Sequence, residues 1–117
     1  MAMNFKVTAK DSLTTLTIEG QLDALTSPDL RAEIDSIVQS RPARVEVDLT
    51  NLRLIDSSGV GALVSLYKRA HAQGSTVEIK GLRDQPLAIF RLLRLDRVLV
   101  GAIGKTSGDA KHRKSPT

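Results

Sequence analysis

The chain has 117 residues, the size of one domain, and an ordinary composition of 41% hydrophobic and 26% charged residues. It contains no cysteine, which excludes a disulfide framework and a thiolate metal site, and its 3% of aromatic residues argue against a stacking platform for single-stranded nucleic acid. No apolar run is long enough to span a bilayer and the N-terminus lacks a signal-peptide apolar region, so we expect a cytoplasmic protein without membrane insertion.

The first third of the chain predicts a hairpin followed by a helix. Residues 5–9 and 15–19 alternate apolar with polar side chains, as half-buried strands do, and the polar turn between them favours antiparallel pairing. A helix start follows at Ser27, which can cap free N–H groups, with Pro28 at the first helical position. Apolar side chains then recur at helical spacing until Pro42 ends the helix.

The middle of the chain predicts a strand, a loop and a second helix. Residues 45–49 alternate apolar with charged side chains and predict a third strand, and residues 50–56 are expected to form a loop. The second helix begins near Ser57. Its apolar side chains fall on one helical stripe, formed by Val60, Leu63, Val64, Tyr67 and Ala70.

The last third of the chain predicts two or three further elements and a tail. Residues 77–79 make a short strand, residues 85–95 make a helix, and residues 98–100 are candidates for a last strand. Residues 104–117 are polar and carry part of the net charge of +4, which predicts a disordered basic tail and not a nucleic-acid patch. The predicted domain therefore spans residues 1–103.

The order of these elements, β-β-α-β-α-β-α-β, predicts an α/β fold. Alternating strands and helices indicate a mixed, mostly parallel sheet of four to five strands, to which the N-terminal β-hairpin contributes an antiparallel pair. The one-sided alternation of residues 45–49 indicates that helices cover mainly one face of the sheet.

The segment between the third strand and the second helix carries the chemistry. Ser57 and Ser58 lie at the start of the helix, with Asp56 before them and Gly59 after them. A helix N-terminus presents unpaired N–H groups and a partial positive charge, which suits a phosphate group. Serine at a helix start also has a purely structural interpretation as a cap, and glycine there can simply allow close backbone packing.

Four segments together resemble the STAS family, named for sulfate transporters and anti-sigma factor antagonists. They are Gly20-Gln21-Leu22-Asp23, Val47-Asp48-Leu49, Ile55 to Leu63, and Leu95-Asp96-Arg97-Val98. The resemblance covers about residues 5–100 in the right order and implies the STAS fold. It departs from the family after Val100, where no convincing C-terminal helix is found.

The resemblance implies a switch and not an enzyme. In antagonists of this family the first serine after the aspartate is phosphorylated, which here is Ser57, so Asp23 and Asp56 would flank the phosphate and Ser58 would neighbour it. The implied partners are an anti-sigma factor with serine kinase activity, which binds the unphosphorylated antagonist and thereby releases a sigma factor, and a serine phosphatase. No cofactor is implied.

We expect the partner surface to extend from Ser57 along the adjacent face of its helix. The remaining residues assigned to this surface are Gly59, Gly61, Ser65 and Lys68. The last three lie off the predicted apolar stripe, which is also what simple solvent exposure would give.

Other functions fit the sequence less well than a phosphorylation switch. A hydrolase with Ser57 as nucleophile needs a base, but His71 falls toward the far end of the same helix and His112 falls in the tail. The dinucleotide fingerprint fails because Val64 stands where its third glycine would be, and two separated histidines do not make a metal site. The stronger alternative is a STAS-fold subunit of a stress-signalling scaffold or of a lipid-transporting ABC system.

Overall fold

The computed structural model describes residues 2–95, which form five strands and three helices. In chain order these elements are β1 (Met3–Lys10), β2 (Leu13–Leu22), α1 (Ser27–Ser40), β3 (Arg44–Asp48), β4 (Leu52–Ile55), α2 (Ser57–Ala72), β5 (Thr76–Lys80) and α3 (Asp84–Leu92). The candidate strand at residues 98–100 and the predicted tail at residues 104–117 lie outside the described residues.

The long strand β2 organises the sheet because different parts of it pair with different strands. β1 pairs with it antiparallel along its whole length, which confirms the predicted hairpin. On its other side the first half of β2 pairs in parallel with β3, and its last residues pair in parallel with β4. The change of partner falls between Thr17 and Gly20, and the register of the β4 pairing then shifts between Gly20 and Gln21. β5 extends the sheet beyond β3.

One face of the sheet carries the core. The buried apolar strand residues pack with apolar side chains of all three helices; they are Leu16, Ile18, Leu22, Val45, Val47, Leu52, Ile55, Val77 and Ile79. The opposite face is polar: Glu46 of β3 lies 3.6 Å from Arg44 and 3.7 Å from Lys80. The α/β class, the mixed sheet and the one-sided helix layer are therefore confirmed.

The predicted loop at residues 50–56 is wrong, because it contains β4. Only the end residues of this four-residue strand, Leu52 and Ile55, are buried. Inward-facing residues at spacing three do not produce the period-two alternation by which strands are recognised. Residues 52–55 form a strand because they pair with the end of β2, although their local sequence pattern does not predict one.

Two helix boundaries also differ from the prediction. Ser27 is the first residue of α1 and not its cap. Thr26 precedes the helix and makes no side-chain capping bond; its Oγ1 instead accepts from the N–H of Asp23 at 2.9 Å and donates to the carbonyl of Gln21 at 3.0 Å. The helix predicted over residues 85–95 ends at Leu92, since Arg94 adopts a positive φ of 59°.

Candidate functional site

The site begins where β2 and β4 leave the sheet side by side. Leu22 and Ile55 are register partners in this parallel pair, and the backbone N–H of Asp56 donates to the carbonyl of Leu22 at 3.2 Å. The residues that follow, Asp23 and Asp56, therefore leave the same edge of the sheet at neighbouring points. The pairing of β4 with β2 thus brings together two segments more than 30 residues apart in the chain.

A side chain from α3 fixes the end of β4. The backbone N–H of Ile55 donates to Oε1 of Gln85 at 3.0 Å, and Nε2 of Gln85 donates to the Ile55 carbonyl at 3.0 Å. The side-chain amide of Gln85 thus hydrogen-bonds to both backbone groups of Ile55, as the backbone of a neighbouring strand would. Sequence reasoning missed Gln85, because a polar residue in the first turn of an amphipathic helix gives no signal of this contact.

Asp56 is the cap of α2. Its backbone is extended, and its Oδ1 accepts hydrogen bonds from the N–H groups of Ser58 at 2.8 Å and Gly59 at 3.1 Å. Its Oδ2 accepts from the N–H of Ala24 at 3.3 Å, which ties the start of α2 to the loop between β2 and α1. Ser57 is therefore not the cap but the first helical residue, and its side chain is exposed.

Asp23 holds the loop between β2 and α1 in one conformation. Its Oδ1 accepts from the N–H groups of Leu25 at 3.0 Å and Thr26 at 3.1 Å, and its Oδ2 accepts from Nε2 of Gln21 at 3.1 Å. Partial desolvation raises the pKa of this carboxyl, but the hydrogen bonds from Thr26, Gln21 and Leu25 outweigh it and hold the pKa below its ordinary value. Asp23 is thus a turn-forming residue whose loop also borders the start of α2.

Gly59 lets the first turn of α2 lie directly on the ends of β2 and β4. A Cβ at this position would stand 2.6 Å from Cγ of Leu22, 2.8 Å from Cγ1 of Ile55 and 2.9 Å from the Leu22 carbonyl oxygen. All three distances are shorter than van der Waals contact. Gly59 therefore places Ser57 through packing and is itself buried.

The side of α2 that continues from Ser57 runs along α1. Gly61 and Ser65 follow at intervals of four residues and are half-buried, whereas Lys68 is exposed. A Cβ on Gly61 would lie 3.2 Å from Nη2 of Arg31, and further along the same side Arg69 pairs with Asp35 at 2.8 Å.

Leu25 is the most exposed of the large apolar side chains in the described residues, with 91% of its surface accessible. It lies in the loop that Asp23 organises and follows Ala24, which is hydrogen-bonded to Asp56. Sequence reasoning missed it, because a single leucine in a loop has no periodicity that would mark it as functional. An exposed apolar side chain on an ordered loop is a candidate protein contact.

The geometry offers little to catalysis at Ser57. His71 lies 14 residues further along α2, which corresponds to about 21 Å, so it cannot act as a base for this hydroxyl. Among residues 2–95 no group of three His, Asp or Glu side chains could hold a metal ion. In that same part of the chain no helix is long and apolar enough to cross a membrane.

Ser57 is exposed and does not line the cavity described for residues 2–95. A solvent-open cavity of about 430 Å³ is instead lined by Asn51, Leu52, Arg53, Arg83 and Asp84, at the turn before β4 and the start of α3. A reactive side chain displayed on a surface suits recognition by another protein better than binding of a small substrate.

Comparison with known proteins identifies one family. The family model described as Mlab, STAS domain, matches residues 5–101. An anti-sigma-B factor antagonist of Staphylococcus aureus is 26% identical over 95 residues, which cover 81% of this chain and 88% of that protein.

Solved structures with the same fold include antagonists. An anti-sigma factor antagonist from Mycobacterium paratuberculosis has a TM-score of 0.79 at 20% identity, covering 93% of this chain and 91% of that chain. The phosphorylated form of the Bacillus cell-fate determinant SpoIIAA has a TM-score of 0.69 at 18% identity, covering 94% and 98%. At these identities the likeness establishes the fold.

Proposed function

This chain belongs to the STAS-domain family, and on that premise we propose that it is an anti-sigma factor antagonist switched by phosphorylation of Ser57. Unphosphorylated, it binds an anti-sigma factor that is also a serine kinase, and so makes a sigma factor available. Phosphorylation of Ser57 releases it, and a serine phosphatase restores it. The similarity to antagonists of Staphylococcus and Listeria supports this role.

The observation that carries the proposal is that Asp56, and not Ser57, caps α2. Because the Asp56 carboxylate caps α2, the Ser57 hydroxyl is not needed for the helix and is exposed to a modifying enzyme. A phosphate there adds about −1.5 to −2 charge at pH 7. The N-terminus of α2 favours that charge and the Asp56 carboxylate opposes it, so we expect the domain to stay folded after modification.

An interface responds differently from the free domain. A phosphate buried against a partner loses its water and meets any acidic group in the contact, and a single charge conflict of this kind can cost about 2.8 kcal/mol, which is a hundredfold in affinity. The switch therefore needs no refolding of the antagonist. Charge and bulk at Ser57 suffice.

Leu25 is the apolar contact that we assign to the same partner surface. A standard interface covers about 800 Å² on each side, and one centred on Ser57 reaches a loop that is hydrogen-bonded to Asp56. Truncating this side chain to alanine should weaken partner binding about tenfold and leave thermal stability unchanged, because it packs against little in the free domain. Leu92→Ala, at a 75% exposed leucine of α3, is the matched control and should bind as wild type does.

The test of the proposed function is a quantitative pull-down from native lysate with wild-type, Ser57→Ala and Ser57→Asp baits, read by mass spectrometry. We expect an ATP-binding serine kinase on the wild-type and Ser57→Ala baits and its loss from Ser57→Asp. Ser36→Asp, which adds the same charge at an exposed position of α1, should retain the kinase. Phosphopeptide mapping after incubation with ATP and the captured kinase should place the phosphate on Ser57.

Two other results would overturn this function. Recovery of the same membrane permease and ATPase on every bait would assign the chain to a lipid-transporting ABC system. Recovery of one large assembly on every bait would assign it to a signalling scaffold. Both roles occur on the same fold, which cannot by itself separate them.

A further inference from the structure

Arg31 of α1 lies where α2 carries no side chain. Its Nη2 atom is 3.2 Å from the place that a Cβ of Gly61 would occupy. The residue is exposed, and within residues 2–95 its guanidinium takes part in none of the ion pairs. The absence of a side chain at Gly61 therefore lets a guanidinium without an ion-pair partner among the described residues lie against the backbone of α2.

Ser57 and Gly61 are neighbours on α2, one helical turn apart. Residues four apart on a helix have Cβ atoms about 5–6 Å from each other, and each Cα–Cβ bond tilts toward the helix N-terminus. Ser57 lies one turn before Gly61 on the side of α2 that runs along α1. The flexible arginine can cover this separation, so a phosphate on Ser57 comes within its reach without movement of either helix.

We propose that Arg31 binds the phosphate of Ser57 within the same chain once Ser57 is phosphorylated, an assignment that rests on the function proposed above. A guanidinium presents a planar set of N–H donors that matches phosphate oxygens, and it stays charged at every physiological pH. The next arginine along this side of α2, Arg69, is already paired with Asp35 and lies two turns further from the helix start.

The contact answers an electrostatic problem at the site. The Asp56 carboxylate caps the turn that Ser57 begins, and the Asp23 carboxylate lies in the adjoining loop. Both repel a phosphate dianion, and Arg31 supplies the opposite charge from α1. Gly61 then has a role other than partner contact: because it has no side chain, it leaves room for the Arg31 guanidinium close to the phosphorylated residue.

The proposal is tested on protein that carries phosphoserine incorporated at position 57 during translation, with the second pKa of the phosphate followed by ³¹P NMR. Because an opposite charge favours the dianion, this pKa should be lower in otherwise wild-type protein than in Arg31→Gln by roughly 0.3–0.7 of a pH unit, a two- to fivefold change in proton affinity. Arg31→Lys should give an intermediate value, and 1 M salt should largely remove the difference. Arg69→Gln is the control and should leave the phosphate unchanged.

Equal phosphate pKa values in wild type and Arg31→Gln, with both proteins folded, would overturn the proposed contact between Arg31 and the phosphate. Arg31 would then only pack against the backbone of α2 at Gly61. Arg31 is exposed, so the variant is expected to fold, and unfolding curves of the unphosphorylated proteins check this. The phosphate is installed without a kinase. Failure of the pull-down would thus overturn the proposed switch alone, and failure of the titration would overturn the Arg31 contact alone.

Discussion

Ser27 and Ser57 occupy the same position in two neighbouring helices and are presented in opposite ways. Each is the first residue of a helix that follows a strand ending in the paired residues Leu22 and Ile55. Ser27 is 4% exposed, whereas Ser57 is exposed. A serine at a helix start is therefore not by itself a signal for modification.

The difference comes from where the aspartate stands relative to each serine. Asp23 is four residues before Ser27, and its carboxylate accepts from N–H groups of the intervening loop, Leu25 and Thr26, and not from the first turn of α1. Asp56 is immediately before Ser57 and caps α2 directly, so that the serine remains on the surface. α2 thus has a side-chain cap and an exposed first serine, whereas α1 has no side-chain cap and a buried one.

Introducing a carboxylate at each serine should give the largest contrast. Ser27→Asp places a charge at a buried position and should lower the free energy of unfolding by about 2–4 kcal/mol. Ser57→Asp should stay within about 0.5 kcal/mol of wild type, because the group is exposed at a helix N-terminus. Urea unfolding curves measure both, and equal losses would show that the two helix starts do not differ as described.

The packing beneath Ser57 should respond nearly as strongly. Gly59→Ala forces a methyl group against Leu22 and Ile55 and should cost about 1–3 kcal/mol in unfolding free energy. Gly61→Ala is the matched control on the same helix: its only close neighbour is the end of the Arg31 side chain, so we expect no loss or a gain of up to about 1 kcal/mol. Similar losses in both variants would contradict the close approach assigned to Gly59.

Removing the cap of α2 should have a smaller effect. Asp56→Ala deletes the acceptor for Ser58, Gly59 and Ala24 and should cost about 1–2 kcal/mol. Asp56→Asn keeps a capping oxygen and should recover most of that loss. If alanine and asparagine were equally destabilising in thermal unfolding, charge and not hydrogen bonding would hold the helix start.

The sequence predicts the elements better than it predicts how they meet. Helices and strands with regular apolar spacing, such as residues 45–49 and the helix after Ser57, are recognised because burial of one face leaves a periodic pattern. The strand β4 leaves no such pattern, and without it nothing in the residues alone places Asp23 beside Asp56. Only the family resemblance indicated that neighbourhood.

Contacts made by exposed polar residues are less predictable still. From the sequence, Arg31 is expected to be an ordinary solvent-facing residue of α1. Its position over Gly61 depends on how α1 and α2 pack side by side. Gln85 similarly depends on the approach of α3 to the end of β4. In both cases the contact of the side chain depends on a neighbour distant in sequence, which a local sequence pattern cannot reveal.

The smallest expected effect concerns the carboxylate that organises the loop before Ser27. Because the pKa of Asp23 is lowered in the folded chain, its hydrogen bonds stabilise the protein above the unfolded pKa of about 3.9 and are lost as the pH falls through the lower, folded value. Asp23→Asn, which resembles the protonated state in charge, should therefore be less stable than wild type at pH 7, and the difference should shrink below about pH 4.

Asp48 provides a second case with the same sign. Its carboxyl accepts from Oγ1 of Thr50 at 2.7 Å, which lowers its pKa against the opposing effect of desolvation, with further lowering by the Thr50 N–H and by Lys80. Unfolding of wild type, Asp23→Asn and Asp48→Asn between pH 3 and pH 7 measures both contributions. If the gap between wild type and Asp23→Asn stayed constant over this range while that for Asp48→Asn narrowed, the loop before Ser27 would be held by its backbone geometry and not by the ionised carboxylate.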